Sequence, residues 1–106
     1  MRLFYVTLNN PEDAERVAHS LLEKRLAVCA NWFDIRCAYR WQGEIKSGPE
    51  TVLIVKTREG YKDAVHDAIR AEITYSNFMG ELDLESTNSE FITWLQTEVP
   101  DLRNGG

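Results

Sequence analysis

Cysteine is scarce in this chain, with only Cys29 and Cys37 among 106 residues, and that scarcity removes several architectures. Two thiols cannot form the disulfide framework of a small secreted domain, and their separation is not the CxxC spacing of a zinc site. Histidine is equally thin: His19 and His66 form neither an HxxxH nor an HxxE pair, so no ready-made metal cage is written into the sequence. Both are expected on the surface. No apolar run approaches the roughly 18 residues needed to span a bilayer. Met1-Arg2 leads straight into a strand-like segment rather than a signal peptide, so a soluble, cytoplasmic protein is expected. Excess positive charge is also missing. Against 17 acidic residues stand 12 Lys and Arg, a net charge of -5 that opposes binding to phosphate backbones. Neither nucleic acid nor membrane is an expected partner. A Gly-rich phosphate loop, paired carboxylates at catalytic spacing and a Ser-His-Asp set are absent as well.

What remains is an ordinary globular composition, 43% hydrophobic and 27% charged, in a chain long enough to bury a core without metal or disulfides. There is no repeat or second domain, so residues 1–102 are expected to form one unit and 103–106 a loose tail. Leu3 to Leu8 (LFYVTL) is rich in aromatic and β-branched residues and reads as a buried first strand. Asn10 caps a helix with Pro11 in its first position, and Ala14, Val17, Ala18, Leu21, Leu22 and Leu26 supply one apolar stripe. Glu12 and Asp13 open that helix and Lys24 and Arg25 close it, as its dipole prefers.

The segment from Val28 to Ile45 is unusual. Fully extended, with one turn-like interruption around Asp34, it would reach roughly 60 Å, whereas a domain of this size has a radius of gyration near 13 Å, as an order of magnitude. It must bend at a bulge or project and pair with a neighbouring chain. Gly43 and the turn-forming Ser47-Gly48-Pro49 close it, and Thr51 to Thr57 (TVLIVKT) returns as its hairpin partner. Thr57 is expected to cap a second helix, Arg58 to Glu72, followed by a strand from Phe78 to Leu84. Thr87-Asn88-Ser89-Glu90 has the form of a capping box before a helix containing Phe91, Ile92 and Leu95. The order βαββαβ, with right-handed crossovers, places both main helices on one face of an antiparallel sheet. This is an α+β, ferredoxin-like fold with an added C-terminal helix.

Two readings stand for Cys29, which follows a basic helix end at the start of a strand. It is either a small core residue, since free cysteine is often buried, or a soft ligand that favours Cu(I) over hard cations. Cys37 is too distant in sequence to form a local chelate with it.

The ordered combination RLAVCAN, CAYRWQGEI, Glu50 and VLIVKTRE resembles the CutA family, the divalent-cation tolerance proteins, from about Val6 through Trp94. The resemblance implies a ferredoxin-like protomer in a tight homotrimer, non-enzymatic, with a role in metal tolerance or small-ligand signalling. No cofactor is required, and copper or another divalent cation is the implied metal. Cys29 falls on the family's cysteine, a proposed ligand there, while Cys37 stands where serine is more usual. Positions matching Tyr39, Trp41, Lys56, Thr57 and Tyr75 lie around a cleft between subunits, suited to a small anionic ligand, with Glu81 nearby; the same aromatics could equally bury a trimer interface. The chain departs from the family at Ile73-Thr74-Tyr75-Ser76-Asn77-Phe78-Met79, where a His-Pro-Tyr segment and then Pro-Glu are common. Tyr75 survives, but an imidazole and a carboxylate are lost as divalent-ion donors. The competing expectation is a small ferredoxin-like enzyme, acylphosphatase-like or thiol-dependent. Leu8-Asn9-Asn10-Pro11 replaces the Gly-rich loop of the first, and the second lacks a base clearly placed for Cys29.

Overall fold

The computed structural model describes residues 1–102; the tail expected at 103–106 lies outside the described residues. Seven elements follow in order: β1 (Arg2–Leu8), α1 (Pro11–Glu23), β2 (Cys29–Trp41), β3 (Glu44–Thr57), α2 (Lys62–Glu72), β4 (Met79–Asp83) and α3 (Ser89–Glu98). The four strands form one antiparallel sheet in the order β2-β3-β1-β4, the ferredoxin-like arrangement with a terminal helix. β1 alternates as its sequence requires. Phe4, Val6 and Leu8 are buried on the helix-covered face, opposite Val55, Leu53 and Thr51 of β3. From α1, Ala14, Val17, Ala18 and Leu21 enter this core; from α2, Val65, Ala68 and Ile69; and from α3, Leu95, with Val99 beyond its end. Both main helices therefore cover a single sheet face.

Local chemistry explains the ends of α1. Asn10 Oδ1 accepts from the Asp13 amide at 2.8 Å, satisfying one of the helix's orphan donors. At the other end the Leu26 amide donates to the Leu21 carbonyl and the Arg25 amide to the Leu22 carbonyl, the paired bonds of a Schellman motif. Its left-handed position is occupied by Arg25 (φ 57) where glycine is usual. The Arg25 side chain has a partner there, since its Nε donates to the Glu98 carbonyl at 3.0 Å and so ties α1 to the end of α3.

Several local expectations are corrected. β2 runs without interruption through Asp34, whose side chain accepts a hydrogen bond from Thr51 Oγ1 across the ladder. Ser47-Gly48-Pro49 is not a turn: these residues lie inside β3, opposite Ala38, Cys37 and Arg36. The chain reverses instead at Gln42-Gly43, both with positive φ (50 and 81), as the tight two-residue turns between twisted strands demand. Thr57 ends β3 and is fully buried, with no bonded partner for its hydroxyl; Tyr61 occupies the N-cap of α2. The capping box before α3 does not form: the N-cap is Asn88, whose side chain makes no capping bond to the helix and instead donates to the Glu90 carboxylate at 3.1 Å. His66 is only partly exposed, with a buried Nε2 that has no partner and a ring set edge-on to Phe4; His19 is exposed as expected.

The long segment projects rather than bends back. β1 accompanies β3 only as far as Leu8↔Thr51, so the seven pairs from Ile35↔Glu50 to Trp41↔Glu44 form a two-stranded arm extending about 23 Å beyond the sheet. The molecule measures 48 × 28 × 22 Å with a radius of gyration of 14.9 Å, larger than the roughly 13 Å usual for 100 residues.

Candidate functional site

The expected site residues separate into two groups within one chain. At the base of the sheet, Cys29 begins β2 directly opposite Lys56 on β3. Cys29 is partly buried, and its closest hydrogen-bonding contact is the Asn31 Oδ1, 3.9 Å from Sγ. Lys56 Nζ sits over the Phe91 ring, 5.6 Å from its centroid, and Thr57 follows it into the core. Among the described residues, no group of three or more His, Cys, Asp or Glu side chains converges as a metal-binding set. A single chain therefore offers one soft donor with an amide oxygen beside it, next to a cation. That is too few donors for a closed coordination shell.

The second group lies on the arm. Cys37, Tyr39 and Trp41 alternate along β2 and so share one face. Cys37 is eight residues along the same strand from Cys29, about 27 Å away, so the two thiols of one chain cannot hold one ion. Where the arm leaves the sheet, Tyr39, Trp41 and Glu50 line a groove of roughly 390 Å³ together with Thr7, Asn9 and Asn77. Lys56, ten residues beyond Tyr39's partner Lys46 on β3, does not line it. Tyr39, Trp41, Lys56 and Thr57 are not brought together inside one protomer. Glu81 is exposed on the edge strand β4, opposite Phe4.

Within the chain Tyr75 ties two segments together. Its hydroxyl donates to the Asp13 carboxylate at 2.5 Å and accepts from the Asn9 amide at 3.1 Å, pinning the loop after α2 to the start of α1. Arg16 extends the network, donating to Asp13 at 2.9 Å and to the Glu72 carbonyl at 2.7 Å. Asn77 fixes the other end of the same loop by donating to the Thr7 carbonyl at 3.0 Å. Burial, and then the neighbouring Asp13 carboxylate, push the Tyr75 phenol up to about 12, so it remains a donor at any ordinary pH. The Tyr75 bond, with help from Arg16, holds Asp13 below the usual carboxylate range. A carboxylate depressed in the folded state contributes stability above its unfolded value of roughly 3.9 and loses it as pH falls through the folded value. Tyr75→Phe should therefore lower stability at pH 7 by about 1–2 kcal/mol, with a difference from wild type that narrows on acidification below that value. Thermal melts at pH 7 and in the acid range test this, and parallel pH profiles would contradict it.

Comparison with known proteins decides the family. Residues 2–98 match the family model described as the CutA1 divalent ion tolerance protein. The chain belongs to the CutA1 family. The divalent-cation tolerance protein CutA of Archaeoglobus fulgidus is 36% identical over 90% of this chain and 94% of its own length. That of Thermotoga maritima is also 36% identical, over 93% of this chain and 99% of its own. A solved Archaeoglobus fulgidus structure, described as a periplasmic divalent cation tolerance protein, superposes with a TM-score of 0.88 at 35% identity, over 92% of this chain and 98% of that one. The CutA1 resemblance read from RLAVCAN and WQGEI thus extends to the whole fold. The small-enzyme alternative finds no support among these relatives. Glu50, Asn9 and Asn77 were not expected as groove residues; Glu50 alone had a sequence signal, as the acidic position between WQGEI and VLIVKTRE.

Proposed function

We propose that the protein works as a closed homotrimer in divalent-cation tolerance, binding a soft metal ion through Cys29 and a small ligand at the arm, with no catalytic step. The observation that carries this reading is the arm itself. An isolated two-stranded ribbon is marginal in water, yet this one displays Tyr39, Trp41 and Ile45 at 49%, 56% and 74% exposure. Such a surface gains its stability by burial against another chain. The sheet also ends in two different open edges, β2 and β4. Pairing unlike edges gives a head-to-tail contact that closes into a ring when the rotation permits, and the family resemblance implies three subunits. Assembly also answers the donor deficit around Cys29, because several chains can contribute to one ion.

No helix of the described residues is long and apolar enough to cross a membrane. Two free thiols suit a reducing compartment, which favours the cytoplasm. If the reading is right, deleting the gene should raise copper sensitivity in the source organism. The wild-type gene should restore tolerance and a Cys29→Ser version should restore much less. Equal rescue by both versions would remove Cys29 from the function.

A further inference from the structure

Cys29 and Lys56 are direct cross-strand partners on β2 and β3, a pairing that sets Cβ atoms about 4.5–5.5 Å apart on one face of a sheet. Strand register fixes that proximity inside a single chain, whatever covers the face from outside. Within the chain the Lys56 charge is not neutralised. It takes part in none of the ion pairs found among the described residues, and the strand on its other side places the apolar Leu3 opposite it. The ammonium is held by a ring instead: Nζ lies 5.6 Å from the Phe91 centroid, a contact that attracts a cation without cancelling its charge. Lys56 is also partly buried, which limits screening by salt. Cys29 therefore offers a soft donor beside a fixed, uncompensated positive charge.

We propose that Lys56 is a charge filter for the Cys29 site, admitting a singly charged soft ion and opposing a doubly charged one. Thiolate softness alone separates such ions poorly. Ag(I) and Cd(II) are isoelectronic and both favour sulfur, but they differ in charge. A thiolate and an ammonium together are neutral, so a monovalent ion leaves one net positive charge and a divalent ion leaves two. Lys56 repels that second unit of charge. For charges about 6–8 Å apart at an effective dielectric of about 20, the repulsion is worth about tenfold or more in affinity. The Asn31 amide oxygen, 3.9 Å from Sγ, is a neutral donor and leaves this balance unchanged. A thiolate site suited to a divalent ion gains from a carboxylate at the cross-strand position, and this chain places the opposite charge there.

Because this selectivity rests on the reading of Cys29 as a metal donor, separate variants distinguish the failure of each. Competition titrations of the full-length protein with Ag(I) and Cd(II) in nitrate buffer give the ratio of the two affinities. A Cys37→Ser background leaves Cys29 as the only cysteine. In it, Lys56→Gln and Lys56→Leu should each shift the ratio about tenfold toward Cd(II) at wild-type oligomeric mass. Lys56→Arg, which keeps the charge, should retain the wild-type ratio, a rescue that a packing role would not produce. If Cys29→Ser binds both ions as before, the metal site itself is lost and the filter with it. With Cys29 required for binding, an unchanged ratio in both neutral variants, or an equal shift in Lys56→Arg, would overturn the filter alone.

Discussion

Trp41→Ala is expected to shift the protein from trimer toward monomer at low micromolar concentration. In the isolated chain the Trp41 side chain is 56% exposed near the tip of the arm, and on the homotrimer reading a neighbouring chain buries it. Truncating a buried aromatic typically costs about 3–5 kcal/mol, and large aromatics are the commonest hot spots of interfaces. At about 1.4 kcal/mol per tenfold, one such loss per subunit contact weakens assembly by at least about 100-fold. The monomer so released should keep the α1, α2 and α3 core, because Phe4, Leu21, Leu53 and Ile69 are buried without any help from the arm. The helical circular dichroism should therefore survive while the mass falls. An unchanged mass and melting temperature would remove Trp41 from the interface.

Cys29→Ser should lower Cu(I) affinity by about 100-fold or more, because a soft thiolate is exchanged for a hard hydroxyl. Cys37→Ser should leave it nearly unchanged, since that thiol sits on the arm, about 27 Å along the same strand. Binding should release protons and weaken as pH falls, because the thiol must lose its proton to coordinate. Mg(II) and Ca(II) should bind poorly, as the described residues show no converging cage of acidic side chains. Competition titrations of wild type and both variants check this. Equal affinities for all three proteins would make Cys29 a packing residue.

The parts of the fold that were legible in the sequence were those fixed by local periodicity. Asn10-Pro11 and the positions Ala14, Val17, Ala18 and Leu21 specify α1, its N-cap and its buried face without tertiary help. Leu22, however, is exposed and α1 ends at Glu23, so Lys24 is its C-cap and Arg25 and Leu26 lie past its end instead of in its last turn. β1 follows from its alternation in the same way as the buried face of α1. The arm was misread where local chemistry and pairing disagree. Ser47-Gly48-Pro49 carries stronger turn residues than Gln42-Gly43, yet the register with β2 puts the reversal at the latter. Before Thr51, β3 has no β1 neighbour, and a free edge is where a strand tolerates proline. Thr57 looked like a helix cap because Ser and Thr favour such positions, but continuing the ladder with Arg2 outweighed that preference. The site was harder still. Tyr75 and Asp13 are 62 positions apart, and nothing in either local sequence indicates that one hydroxyl would bind both the carboxylate and the Asn9 amide.

On the homotrimer reading, the exposed arm exists to be buried by copies of the same chain. Light scattering of the wild-type protein at micromolar concentration, coupled to size exclusion, tests it most directly. A single species of three times the 12.2 kDa chain mass is the predicted result. A stable monomer at that concentration, with its aromatic arm left in water, would contradict it.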